Sequence, residues 1–183
     1  MTCHIDLESF SESDLKKEGV YKYAEDPSTE LLCLCYSFDD GPVTVWIPHW
    51  DPPESVLELL RPRLQPDDII VCQSVVPDDL CDHIESGGEI RAHNAQFERV
   101  VLNGVAGRKV GFPRLEIKNM RCTAAMMRVH GLPAALEDAA NALGTAKKDS
   151  TGKGTMLQLC RPRSGAEERY SIEEYPEKYA QLY

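Results

Sequence analysis

An alternation of apolar and polar residues near the N-terminus most limits how this chain can fold. In Ile5-Asp6-Leu7-Glu8 the apolar residues occupy every second position. Because residues two apart on a β-strand point to the same face, Ile5 and Leu7 would face a core while Asp6 and Glu8 stand side by side on the opposite face. The alternation therefore predicts a strand over residues 2–10 with one buried face.

The carboxylates of Asp6 and Glu8 would repel each other at this spacing. Two like charges a few ångströms apart are tolerated when they share a proton or when a cation lies between them, and a hard divalent ion such as Mg²⁺ prefers oxygen ligands. A solvated edge strand explains the pair equally well when it is considered alone. The pair indicates a metal site only in combination with a second element.

A third acid, Glu98, follows a predicted strand over residues 89–93. Asn94 is a favourable N-cap for a helix over residues 94–105. A capping-box acid would then fall at Phe97, whereas Glu98 lies one position later and is rotated by roughly 100°. Capping does not explain Glu98, and we expect its carboxylate to lean toward the acids of the first strand.

At these residues the chain resembles the 3′→5′ proofreading exonuclease domain of bacteriophage-type family A DNA polymerases, within the DEDD superfamily. Residues 6–9 (DLES) match the first exonuclease motif and residues 94–98 (NAQFE) match the second. The similarity extends over residues 122–143 and 153–163. It implies a ribonuclease H-like α/β fold, with a mixed central sheet of about five strands, an antiparallel N-terminal meander and flanking helices.

The resemblance implies two-metal hydrolysis of phosphodiester bonds at the 3′ end of single-stranded DNA, with Mg²⁺ or Mn²⁺ as the ions. Asp6, Glu8 and Glu98 would be the catalytic acids and the metal ligands. Asp6 would contact both ions, Glu8 would hold the first ion or orient the water, and Glu98 would reach the second ion through a water. The substrate-binding positions would be Ser9, His93, Asn94 and Phe97. A helix cap at Asn94, a core residue at Phe97 and a strand-end residue at His93 are the alternatives.

Two departures from the family pattern stand out. Glu98 replaces the usual Asp, which adds a methylene to the outer metal contact. The third motif, a Tyr or His with a downstream Asp, is absent, although Tyr175, Tyr179 and Leu182 recur at the spacing of an amphipathic helix. We expect residues 1–183 to form a single exonuclease domain cut before the third motif, with a polymerase domain downstream in the parent chain.

The formal net charge of −10 disfavours a domain that grips nucleic acid strongly by itself, because nonspecific affinity comes from Lys and Arg. A covalently attached polymerase would keep DNA at a high effective concentration. One stretch of the sequence is basic and contains Asp149 as its only acid. This stretch is either a solvated loop or an edge that contacts phosphate. Its members are Lys147, Lys148, Lys153, Arg161 and Arg163.

Length and composition predict one domain and no membrane partner. A chain of 183 residues buries about 70% of its extended surface in one core. No apolar run approaches the roughly 20 residues that span a bilayer, which predicts a cytoplasmic protein, in the host cytoplasm if a phage encodes it. The seven cysteines form no Cys-x-x-Cys pair, so disulfides and structural zinc are not expected.

The remaining elements follow an α/β pattern. Further strands are predicted over residues 31–38, 44–48 and 69–71, with an extended segment over 115–120. Helices are predicted over residues 54–64, 77–85, 123–130, 133–143 and from 172 onward. The polar segment 15–26 is predicted to be a loop packed over the sheet.

Two other classes of function stay open. A stand-alone DNA or RNA exonuclease of the same superfamily would need a His shortly before a terminal Asp, which this sequence does not contain. A non-catalytic module would keep the fold and lose the chemistry. Metal binding near Asp6 separates that module from the enzymes.

Overall fold

A six-stranded mixed sheet forms the centre of the computed structural model, which describes residues 1–48, 53–145, 152–162 and 169–182. The strands are β1 (Thr2–Phe10), β2 (Glu30–Phe38), β3 (Thr44–Ile47), β4 (Ile69–Cys72), β5 (Glu89–Ala92) and β6 (Met120–Cys122). Their order across the sheet is β4-β3-β2-β1-β5-β6. The predicted α/β class with a mixed central sheet is confirmed, with one strand more than expected.

The strand directions bring the two acidic motifs to one edge of the sheet. β1, β2 and β3 form the predicted antiparallel meander, while β5 pairs with β1 in parallel. The last β1–β5 pair joins His4 to Arg91. β1 continues beyond this pair to Asp6 and Glu8. These acids therefore lie at the same end of the sheet as the carboxyl end of β5, from which the chain runs on to Glu98.

Nine α-helical segments lie in the described parts of the chain. They are α1 (Leu15–Glu25), α2 (Glu54–Leu60), α3 (Asp78–Glu85), α4 (Gln96–Val101), α5 (Gly107–Val110), α6 (Thr123–Val129), α7 (Leu136–Leu143), α8 (Gly152–Leu159) and α9 (Pro176–Leu182). A π-helical segment, Leu102–Ala106, joins α4 to α5. None of these helices is long and apolar enough to cross a membrane, in the ranges given above.

The predicted loop over residues 15–26 is wrong, because α1 covers nearly all of it. The helix begins after Asp14, whose side chain accepts a hydrogen bond from the Lys16 backbone N–H at 2.9 Å. Gly19 interrupts the helix with a φ of 79°, a conformation that glycine adopts without a Cβ clash. Only Tyr23 and Ala24 are buried, so the sequence carries too weak an apolar period to indicate a helix.

The predicted extended segment over residues 115–120 is also largely wrong. Ile117–Asn119 forms a 3₁₀ turn, and the strand β6 begins only at Met120. The helix predicted over residues 54–64 is α-helical only over Glu54–Leu60. It continues as a 3₁₀ turn at Arg61–Arg63, where Pro62 lacks a backbone N–H donor.

The main core lies on the face of the sheet that Ile5 and Leu7 share. These residues are 6% and 5% exposed and pack with Leu34 and Trp46 of the meander and with Val101 of α4. The alternation predicted for β1 is confirmed. The opposite face carries Asp6 and Glu8, directly across from the thiols of β2.

A second cluster holds the C-terminal part of the described chain against α2. Val56 and Leu60 of α2 pack with Leu159 of α8 and with Ile172 and Tyr179. The predicted C-terminal helix is confirmed, although the regular helix starts at Pro176 rather than at residue 172.

Candidate active site

A cavity of about 570 Å³ opens beside the acidic end of β1. It brings together every site residue predicted from the sequence, from two stretches that are far apart in the chain. These lining residues are Asp6, Glu8, Ser9, His93, Asn94, Phe97 and Glu98. The structure thus places the two motifs around one space, which is a precondition for the predicted chemistry.

A β-bulge shapes the end of β1. Glu8 lies opposite Cys33 of β2, but the next residue, Ser9, lies opposite Leu31, so that Leu32 is passed over. Bulges of this kind increase the local twist and redirect side chains, and they are common beside functional sites. The register shift separates the half-buried Glu8 from Ser9, which is 4% exposed.

Ser9 is fixed by the phenol of Tyr23, which belongs to neither acidic motif. The Tyr23 hydroxyl lies 2.9 Å from Ser9 Oγ and also lies within hydrogen-bonding distance of the Ser9 carbonyl, at 3.3 Å. Burial raises the pKa of Tyr23 to about 12. The hydroxyl therefore stays protonated and connects α1 to the acidic strand.

Glu98 is the most unusual group in the cavity wall. It is 4% exposed, and within the described ranges its Oε2 has no hydrogen-bond partner. Burial raises the pKa of the carboxyl to about 8, and the charges of Asp6 and Glu8 add to this, although its own backbone N–H acts in the opposite direction. A buried acid in this state needs either a proton or a cation.

The predicted N-cap at Asn94 is wrong. Asn94 has a φ of 71°, α4 begins at Gln96, and the cap position is held by Ala95, which makes no side-chain capping bond. Glu98 consequently occupies the third helical position, where a capping acid would stand. Its Oε2 nevertheless makes no capping bond, so capping does not account for this oxygen.

Phe97 is both a core residue and a cavity residue. It is half-buried and packs against the main core, and its ring centroid lies 6.1 Å from that of Tyr23. The same side chain lines the cavity. The two interpretations of Phe97 from the sequence are therefore compatible.

His93 is held in place through both ring nitrogens. Nδ1 lies 3.0 Å from Thr123 Oγ1, and Nε2 lies 2.8 Å from the Ala134 carbonyl. A carbonyl only accepts, so Nε2 carries the proton. In the neutral ring Nδ1 is then an acceptor facing the threonine hydroxyl, which also lies within 3.4 Å of the Ala92 carbonyl. This geometry suits a wall residue better than a general base.

Two further lining residues come from the end of α8. Cys160 Sγ donates a hydrogen bond to Glu8 Oε2 at 3.4 Å, and the exposed Arg161 follows it along the wall. Burial, and then the charge of Glu8, raises the pKa of Cys160 well above its usual value. Cys160 belongs to no recognisable motif, whereas Arg161 was part of the predicted basic stretch.

Arg161 is the one member of the predicted basic stretch whose side chain the structure describes. Residues 147–149 and 163, and the side chain of Lys153, lie outside the described residues.

The described residues contain no group of three His, Cys, Asp or Glu side chains arranged as a ready-made metal site. The donor set nonetheless suits a hard divalent cation, because Asp6, Glu8 and Glu98 supply carboxylate oxygens. One of these oxygens, Oε2 of Glu98, is buried and has no partner in the described part of the chain. Without a cation, repulsion opposes a closer approach of the three acids.

The mixed sheet, the acid pair on β1 and the buried acid of α4 agree with the fold and the site that the resemblance of the two motifs implies. No protein-family model matches the chain. The chain is similar to the DNA polymerase of Bacillus phage SP02, with 32% identity over 185 residues. The match covers 97% of this chain and 24% of the polymerase, so the chain spans about a quarter of that relative's length. The resemblance to a phage DNA polymerase is confirmed.

Solved structures that match the chain include NrnC of Brucella melitensis. The form with bound Mg²⁺ matches with a TM-score of 0.40 and 14% identity, covering 97% of this chain and 64% of that chain. A second NrnC structure matches with a TM-score of 0.38 and 14% identity, covering 97% and 65%.

Proposed function

We propose that the chain is the 3′→5′ exonuclease domain of a DNA polymerase, which proofreads by hydrolysing phosphodiester bonds at the 3′ end of single-stranded DNA. The observation that carries the proposal is that Glu98 lines the same cavity as Asp6 and Glu8 while its buried Oε2 has no hydrogen-bond partner among the described residues. The similarity to a phage DNA polymerase supports the polymerase context, and the share of 24% supports a polymerase domain of a longer chain as the partner.

Asp6, Glu8 and Glu98 are the residues that would hold two Mg²⁺ or Mn²⁺ ions. When bound, these ions supply the positive charge that activates water and stabilises the leaving 3′ oxygen. Glu98 has one methylene more than the Asp that the family resemblance implies, and it lies in the first turn of α4 and in the lining of the cavity. Its raised pKa means that binding of a cation displaces a proton.

The other lining residues would position the DNA. The half-buried ring of Phe97 offers a face to the terminal base, and base–aromatic stacking typically contributes about 1–3 kcal/mol. Arg161 offers a cation to a backbone phosphate at the exposed rim. Ser9 and Asn94 line the same space, and the doubly bonded His93 maintains the shape of the wall.

A weak grip on DNA fits this arrangement. The net charge of −10 disfavours tight nonspecific binding, and the acids themselves repel phosphate until cations neutralise them. Attachment to a polymerase would hold a frayed 3′ end near the cavity, so a high affinity of the domain itself is unnecessary.

The proposal is tested with a 5′-labelled single-stranded oligonucleotide, incubated with excess protein and Mn²⁺ or Mg²⁺. Shortening from the 3′ end is expected, and it should disappear with a chelator and in the Asp6→Ala variant. The control is Glu116→Gln, which alters an exposed acid that does not line the cavity. Equal shortening by Asp6→Ala would contradict the proposed site.

The same assay separates the alternatives. A preference for an RNA oligonucleotide would favour the stand-alone RNA-degrading class over a proofreading domain. A folded chain that neither binds Mn²⁺ nor shortens either oligonucleotide would be a non-catalytic module.

A further inference from the structure

Cys160 contacts an acid of the central strand although it lies far from both exonuclease motifs in the sequence. Its Sγ lies 3.4 Å from Glu8 Oε2. Because an ionised carboxylate has no proton to give, the thiol is the donor in this bond. The contact ties the end of α8 to the acidic end of β1.

The packing of the preceding residue fixes the place of this thiol. Leu159 is 2% exposed and belongs to the cluster that includes Val56 of α2 and Tyr179 of α9. The backbone N–H of Cys160 donates to the Met156 carbonyl at 2.9 Å and so continues the helical pattern by one residue. The thiol is therefore presented by a packed helix end.

An independent observation indicates that a cation belongs beside this contact. Glu98, from a different element, lines the cavity that Glu8 and Cys160 share, and its buried Oε2 has no partner among the described residues. A hard cation would satisfy that oxygen, and a second carboxylate from β1 would then need a defined orientation to bind it.

We propose that Cys160 is a positioning residue, whose S–H bond holds the Glu8 carboxylate in the orientation that binds a divalent cation in the cavity that Glu98 also lines. The inference rests on the proposed function and deepens it, since it assigns a role to a residue outside the exonuclease motifs. Hydrogen-bond partners of metal ligands typically contribute about 10- to 100-fold in metal affinity. A thiol is a weak donor, so the lower end of that range is expected.

The test is a titration of the full chain with Mn²⁺, in which electron paramagnetic resonance measures the free ion. Cys160→Ala should weaken Mn²⁺ binding by about tenfold. Cys160→Ser keeps a donor and should bind Mn²⁺ more tightly than Cys160→Ala. The matched control is Cys81→Ala, because the Cys81 thiol also donates to a glutamate, Glu85, at 3.7 Å, but lies outside the cavity.

Thermal unfolding of the same variants separates positioning from packing. If Cys160 only packs, both substitutions should lower the unfolding midpoint and weaken Mn²⁺ binding to the same extent, which would overturn the inference. Unchanged Mn²⁺ binding by Cys160→Ala would also overturn it while leaving the proposed function intact. Failure of the wild-type chain to bind Mn²⁺ would instead overturn the proposed function together with the inference.

Discussion

Glu98 is buried in the cavity wall that Asp6 also lines, and the pKa of Glu98 is raised to about 8 by burial first and by the charge of Asp6 second. The two residues come from α4 and β1, which the parallel pairing of β1 and β5 brings to one edge of the sheet. A carboxyl that titrates near neutral pH in such a place makes both stability and metal binding depend on pH.

The pKa of Glu98 predicts a loss of stability as pH rises. In the unfolded chain the carboxyl ionises at its usual value of 4.5, whereas in the folded chain it keeps its proton up to about pH 8. Between these two values the unfolded state binds fewer protons, so the free energy of unfolding falls with rising pH. The amide that replaces the carboxyl in Glu98→Gln does not titrate. The free energy of unfolding of this variant, relative to that of the wild type, should therefore increase as the pH rises from about 4.5 to about 8.

Urea denaturation of both proteins across this pH window measures the difference. Glu116→Gln, at an exposed position outside the cavity, is the control and should follow the wild-type profile. A stability difference between Glu98→Gln and wild type that stays constant with pH would show that Glu98 ionises normally in the folded protein.

Binding of Mn²⁺ should release a proton at neutral pH. Glu98 must lose its proton to become a ligand, so the affinity for Mn²⁺ should rise from about pH 6 to about pH 8 and then level off. Calorimetry in two buffers of different ionisation enthalpy counts the released protons. Binding without proton release at neutral pH would mean that Glu98 is not a ligand or is already ionised.

The turn before β5 should tolerate no side chain at Gly88. A Cβ there would overlap the ring of His83, which is 6% exposed and lies edge-on to Phe38 at 5.2 Å. Overpacking of this kind typically costs about 1–3 kcal/mol, so Gly88→Ala should lower the free energy of unfolding by that amount. Urea unfolding measures the change.

The matched substitution is Gly154→Ala in α8, where an added Cβ meets nothing within 4 Å. Alanine in an open helical position typically adds about 0.5–1 kcal/mol of stability. Equal effects of the two substitutions would contradict the packing described for Gly88.

Removing the Tyr23 hydroxyl should destabilise the end of β1. Tyr23→Phe would take from the buried Ser9 Oγ the partner that lies 2.9 Å away. An unsatisfied buried hydroxyl costs about 1–3 kcal/mol, and the acids beside Ser9 would lose part of their support. Denaturation should show this cost, and Tyr21→Phe, at a position that is 56% exposed, should be close to neutral. A neutral Tyr23→Phe would show that the Ser9–Tyr23 bond contributes little.

The sequence predicts elements well where apolar periodicity is strong. The alternation of Ile5 and Leu7 identified β1 and its buried face, and Tyr179 lies in the predicted C-terminal helix and is buried. The sequence failed at α1, because a helix with two buried residues and a glycine in its interior lacks that periodicity. It also misplaced the start of α4, because Asn94 adopts a left-handed conformation instead of capping the helix.

The candidate site shows the same division. All the site residues predicted from the two motifs, including Glu98 and Ser9, line the cavity. It could not indicate Tyr23 or Cys160, because they reach the cavity only through the packing of α1 and of the end of α8. Contacts of that kind depend on tertiary structure and have no local signature.

The central claim is that acids from two distant parts of the chain share the same cations, and a double-mutant cycle of Mn²⁺ binding tests it most directly. The four proteins are wild type, Asp6→Asn, Glu98→Gln and the double variant. If the acids share ions, each single substitution should weaken Mn²⁺ binding by about tenfold or more. The affinity of the double variant for Mn²⁺ should then be close to that of the single variant that binds more weakly. Wild-type affinity in either single variant, or strictly additive losses, would contradict a shared metal site.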